Sequence, residues 1–272
     1  MTVEGVCKLT QKRGQFVDAH LIPKALTRPE GKGLPFVQAG GGLPPSRRWS
    51  SWYDKRLVIA EGESVLSRHD NWAIPELRKH KLVWSGWGPM QSLVGNHDLF
   101  DGTGVGVRSI TGIDGNKLRL FFLSLLWRAA VTSRPEFDEI SLPQNSVERL
   151  RCMLLADDPG MPNFYPIQLV QLSTLGVIHN LPPIASSKVI PASDDRGDQT
   201  VPFFRFYFDG LIAHIHIAEE DSDAPHLGPW VVGGEPSVSI CTVTYEISFQ
   251  RRNLEYFVDE ALMKWPELMR KL

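Results

Sequence analysis

Val17-Asp18-Ala19-His20-Leu21-Ile22-Pro23-Lys24 decides how the first third of this chain is read. A histidine between an apolar run and an Ile-Pro step is held at a strand end, because proline fixes φ and turns the preceding residue away from helix. Such a position suits a general base. Upstream, Val6 to Leu9 and Gln15 to Val17 are short extended segments joined across Lys12-Arg13-Gly14, a glycine-bearing turn. Downstream, Tyr53-Asp54-Lys55-Arg56-Leu57-Val58-Ile59-Ala60-Glu61-Gly62-Glu63 restores the apolar pattern and ends in two carboxylates. A compact turn would bring His20 and Glu63 together.

These residues resemble the HNH endonuclease family, in the branch that reads roughly Cys-x-Leu-Cys, then apolar-His-Ile-Ile-Pro-Lys, then Cys-x-x-Cys-Glu. Cys7-Lys8-Leu9-Thr10 stands at the first cysteine pair, Ile59-Ala60-Glu61-Gly62-Glu63 at the second, and His20-Leu21-Ile22-Pro23-Lys24 at the histidine run. Phe121-Phe122-Leu123-Ser124-Leu125-Leu126-Trp127-Arg128 resembles a segment that follows the nuclease core in some of these bacterial proteins. The resemblance implies His20 as catalytic base and Mg²⁺ or Mn²⁺ held by Glu63 and Asp54, with His69 or Asp70 as auxiliaries. It also implies DNA, or RNA, gripped by Lys24, Arg47, Arg48, Trp49, Arg68 and Lys79, in an anti-phage defence setting. Two departures bear on this. Ala19 replaces the ligand expected just before the base, and Asp18 faces the other way on a strand. Three of the four zinc thiolates are absent, so structural zinc is not expected, and packing by Trp49, Trp52, Trp72, Trp84 and Trp87 must offset roughly 10 kcal/mol of lost metal binding. Two functions follow: a metal-dependent endonuclease, or an inactive HNH-derived subunit that binds nucleic acid or assembles with a protein partner.

At 272 residues the chain can hold one large or two modest domains. Twenty-nine basic against thirty-one acidic residues mean that any nucleic-acid contact must be a local patch. Three scattered cysteines argue against a disulfide framework and for a reducing cytoplasm. No apolar run approaches the roughly 20 residues a bilayer requires, so no membrane partner is expected.

The expected fold is α+β. A small ββα or treble-clef-like module spans 1–90, and a second domain spans 91–272, with Pro89 to Gly115 between them. Pro29 to Pro45 reads as an irregular surface loop. The Arg47-Arg48-Trp49 run after it either stacks on bases and grips phosphates or covers a small core. Glu63 to Lys81 reads as helix, with Pro75 starting a second one, and Leu82-Val83-Trp84 as a strand. Asn96-His97-Asp98 suits a turn.

Asn116 to Ser133 is the strongest helix, apolar on most of its circumference and so central. Ser146 to Leu155 is a shorter helix, and Pro166 to Leu175 is ambiguous. From 200 to 249 the period becomes two, predicting an antiparallel sheet whose surest hairpin turns at Asp209-Gly210. Strands are also expected near Trp230 to Val232 and from Val238 to Phe249, around an acidic loop from Glu219 to Asp223. His214 and His216 share one strand face, read as a half-buried polar surface. A helix from Asn253 to Met263 closes the chain. This C-terminal half is the expected surface for a protein partner or a second copy.

Overall fold

The computed structural model describes residues 3–27, 36–40, 43–49, 51–93, 95, 97–192, 197–218, 228–233 and 235–270. Asn96, the acidic loop and the side chain of Arg47 lie outside the described residues. A hairpin of β1 (Glu4–Val6) and β2 (Arg13–Gln15) opens the chain, and β3 (Ala19–His20) follows. Next come β4 (Phe36–Gly40), β5 (Leu43–Arg48), β6 (Tyr53–Asp54) and α1 (Ala60–Lys79). Beyond them lie β7 (Asp98–Leu99), β8 (Val105–Ile110), α2 (Gly115–Val131) and α3 (Gln144–Ala156). The remaining elements are β9 (Ile167–Leu172), β10 (Ile184–Ile190), β11 (Gln199–Phe208), β12 (Leu211–His216), β13 (Val238–Val243), α4 (Phe249–Lys264) and α5 (Pro266–Met269).

Seven strands form one mixed sheet in the order β10, β11, β12, β9, β13, β8, β7. The α+β class stands as read, but the sheet is not purely antiparallel: β13 runs parallel to β9 while its other neighbour, β8, is antiparallel. Alternation within a strand reports which face is buried and carries no information about the neighbour's direction.

Helix α2 is buried around its whole girth from Leu118 to Ala129. Its Phe122 stacks on Phe208 of β11 at 6.2 Å, and Asp114 caps its first turn by accepting from the amides of Asn116 and Lys117. Buried hydrophobic side chains from Cys7 to Val83 share one continuous core with those of α2, α3 and much of the sheet. Leu93 N donates to the Ser173 carbonyl at 2.9 Å, and β7 and β8, within Pro89 to Gly115, are strands of the seven-stranded sheet.

Several local expectations change. β4 and β5 make a hairpin where a loop was read. Pro44 and Pro45 fall opposite the register shift between Gln38 and Gly40, where their missing amides break no ladder. α1 runs unbroken through Pro75, held straight by Leu66, Ala73 and Leu77 against the core. After it, Lys81 takes φ +55° and Trp84–Gly86 is a single 3-10 turn rather than a strand. Gly228–Trp230 is likewise a 3-10 turn, with only Val231 bridging to Gln168. β13 stops at Val243 because Ser248 caps a helix, its hydroxyl accepting from Arg251 N at 3.2 Å.

Asp209 and Gly210 have φ of +51° and +84°, the two positive values of the expected hairpin turn. This turn also clasps the N-terminal region: Trp84 N donates to the Asp209 carbonyl at 2.8 Å, and Ser85 N to its carboxylate at 3.1 Å. A methyl group on Gly210 would lie 2.5 Å from the Trp84 indole. Gly210→Ala therefore combines left-handed strain with overpacking, and chemical denaturation should show a loss of about 2–4 kcal/mol.

Candidate functional site

Two short strands and one helix position the centre. β3 pairs with β6 in a register that sets Ala19 opposite Asp54 and His20 opposite Tyr53. Cross-strand partners share a face, so the His20 imidazole and the Tyr53 ring point to one side and Asp54 to the other. Asp54 is engaged there: its carboxylate accepts from Thr132 Oγ1 at 2.7 Å and from Arg56 N at 2.8 Å.

Behind His20 stands Arg128 from the last turn of α2. Its Nη1 donates to the His20 carbonyl at 3.1 Å, and Nη1 and Nη2 grip the two oxygens of Asp70 at 2.9 and 2.7 Å. Nη2 also reaches the Leu66 carbonyl and Ser124 Oγ. Glu63 lies on the same face of α1 as Asp70, seven residues earlier. Ser67 Oγ donates to Glu63 Oε1 at 3.2 Å, whereas Oε2 is buried with no hydrogen-bond partner among the described residues.

His20 and Glu63 thus feel the same Arg128–Asp70 pair. Partial burial lowers the His20 pKa, and the cations of Arg128 and Lys24 lower it further against the opposing pull of Asp70 and Asp18. Near neutral pH the imidazole is uncharged and able to take a proton. Burial raises the Glu63 pKa, and Asp70 adds to this, while Arg128 and the Ser67 hydroxyl oppose it. His69, one residue before Asp70, is buried, and burial holds its pKa down; its Nδ1 lies 3.8 Å from Asp157.

The segments standing at the two cysteine pairs also meet. Cys7 accepts from Thr10 N through its sulfur at 3.3 Å, and a Cβ on Gly62 would lie 2.8 Å from that sulfur. Lys8 N donates to the Leu57 carbonyl, joining this turn to the segment between β6 and α1. Of the aromatics expected to offset the missing zinc, Trp52 enters the main core, edge-on to Phe137 at 6.1 Å, and Trp72 packs against it. Trp84 and Trp87 form a separate cluster with Tyr207 and Tyr245. Trp49 is 68% exposed.

The residues expected to hold a divalent ion are not gathered around His20. Ala19 offers no ligand, Asp54 points away from His20 and is occupied, and Arg128 already supplies the positive charge beside Asp70. Among the described residues no group of three or more His, Cys, Asp and Glu side chains gathers as metal ligands would.

The basic residues divide. Arg48 lies 3.6 Å from Glu136, Arg68 3.8 Å from Asp157, and Lys79 3.0 Å from Glu76, so each is partly neutralised within the chain. Lys24 is exposed beside His20. Lys55 lies over the Tyr53 ring at 5.6 Å. Reading the sequence alone missed the role of Arg128, although the Phe121–Arg128 segment had been singled out. A cation ending an otherwise apolar helix was the available signal. His214 lies beside Phe203 at 4.3 Å on the sheet, apart from this centre. Comparison with protein-family models, with curated proteins and with solved structures gives no match.

Removing Asp70 would strand a buried guanidinium, so Asp70→Ala should destabilise the fold by about 3–5 kcal/mol in denaturant titration. Glu63 gives a pH signature. Its folded pKa is above the unfolded value, so its contribution is most favourable below the unfolded pKa and is lost as pH rises through the folded one. Glu63→Gln should therefore raise the melting temperature at pH 7–8, and that gain should vanish as the pH falls below the ordinary carboxylate range.

Proposed function

We propose that this chain is an HNH-derived protein that binds nucleic acid, DNA in the first place, in the bacterial defence setting that the resemblance implies. The observation carrying this reading is His20. It is presented at a strand end with its carbonyl anchored by Arg128, on the same strand face as Tyr53 and close to the exposed ammonium of Lys24. Lys24 and Lys55 can neutralise phosphates, while Tyr53 and Trp49 offer ring faces for bases. Binding is favoured over cleavage because the acids around His20 do not assemble a cation site.

Hydrolysis is the second reading, and a specific observation favours it: the same centre holds an uncharged imidazole and a carboxyl group whose proton affinity is raised. That is an acid–base pair of the kind phosphodiester cleavage uses.

One experiment separates the two. Plasmid and single-stranded DNA are incubated with wild type, His20→Ala and the Lys24→Ala/Trp49→Ala double variant, with Mg²⁺ or Mn²⁺. The expected result is a salt-sensitive mobility shift, weakened severalfold in the double variant, with the DNA intact. Nicking that disappears in His20→Ala would install the second reading, and neither shift nor nicking would refute both.

A further inference from the structure

Helix α4 carries an exposed apolar stripe. Phe249, Tyr256 and Met263 recur every seventh residue and are 53%, 66% and 77% exposed. Seven residues are nearly two turns, so the three side chains stand in one row about 10 Å apart. Arg252 and Asp259, both exposed, fall between them at the three- and four-residue spacings that complete a seam. Leu262, 49% exposed, widens the apolar strip at its C-terminal end. The opposite face, through Gln250 and Ala261, is buried against the body of the protein. Large apolar side chains in a continuous exposed row mark an interaction surface.

The charges identify the occupant. The N-terminal half of α4 carries Arg251 and Arg252, the C-terminal half Asp259 and Glu260. Arg251 is engaged by Glu255 at 2.8 Å and Glu260 by Lys264 at 2.6 Å, within the helix. Among the described residues neither Arg252 nor Asp259 has an ion-pair partner.

We infer that this face binds a second copy of the chain, α4 against α4 in antiparallel register about Tyr256. In that register Phe249 of one copy meets Met263 of the other, the two Tyr256 rings meet at the axis, and Arg252 faces Asp259. The axial offsets of Arg252 and Asp259 from Tyr256, about 6 and 4.5 Å, agree to within one residue. A parallel pairing would set Arg252 against Arg252. The antiparallel one forms the Arg252–Asp259 pair twice, once on each side of the axis, as a two-fold interface requires.

Sedimentation equilibrium of the full chain tests this, with DNA-free protein so that the result does not depend on the nucleic-acid reading. Wild type should associate reversibly to a dimer. Tyr256→Glu should weaken association at least about tenfold while the circular dichroism spectrum and melting temperature stay unchanged. Arg252→Glu alone and Asp259→Arg alone should each weaken the dimer, and the double swap should restore it. A wild-type chain that stays monomeric at high micromolar concentration would overturn the proposal, and so would a dimer indifferent to Tyr256→Glu or a double swap that fails to rescue.

Discussion

One buried guanidinium ties β3 and α1 to α2. Arg128 leaves α2 at the end of an apolar helix, is almost wholly buried, and directs its two Nη groups to Asp70 and Leu66 of α1, to Ser124 of its own helix and to the carbonyl of His20. Burying such a charge is tolerable only because a bidentate carboxylate and several oxygens surround it. The geometry of the candidate site follows. β3 is two residues long and has little ladder of its own, so the position of His20 depends on a contact from 108 residues away.

The same arrangement shapes the chemistry. In a centre built around a divalent ion, acids converge and the cation is exchangeable. Here the cation is covalently part of the chain and Asp70 is committed to it. The groups left beside it are a partly buried imidazole, the Tyr53 ring and the exposed ammonium of Lys24.

Much of the secondary structure was legible because its signals are local. The α2 helix announced itself through apolar spacing, and the β11–β12 turn through Asp209-Gly210. Harder features depended on partners remote in sequence. Nothing around Pro75 says that one helix continues through it, since the packing of Leu66 and Leu77 decides that. The parallel pairing of β9 and β13 leaves no mark in either strand. At the site, His20 and Glu63 were visible as residue types in a pattern, but what fixes their environment is Arg128, whose role depends on a pairing with Asp70 that no spacing rule connects. Lys79 and Arg68 read as phosphate ligands from charge alone, and the acids beside them, Glu76 and Asp157, are not visible in that reading.

The clasp between Asp209 and the Trp84–Ser85 backbone has a kinetic corollary. Ser85 and Asp209 are separated by 124 positions, Arg151 and Leu9 by 142, and Arg128 and His20 by 108. Contacts of such long range are made late, after most loop-closure entropy has been surrendered, and chains dominated by them fold slowly. During synthesis the segment bearing His20 emerges from the ribosome well before α2 and the β11–β12 turn exist to receive it. Its apolar side chains, Leu21, Ile22, Trp52 and Leu57 among them, then wait uncovered, which makes the nascent chain a natural client for chaperones until its second half arrives.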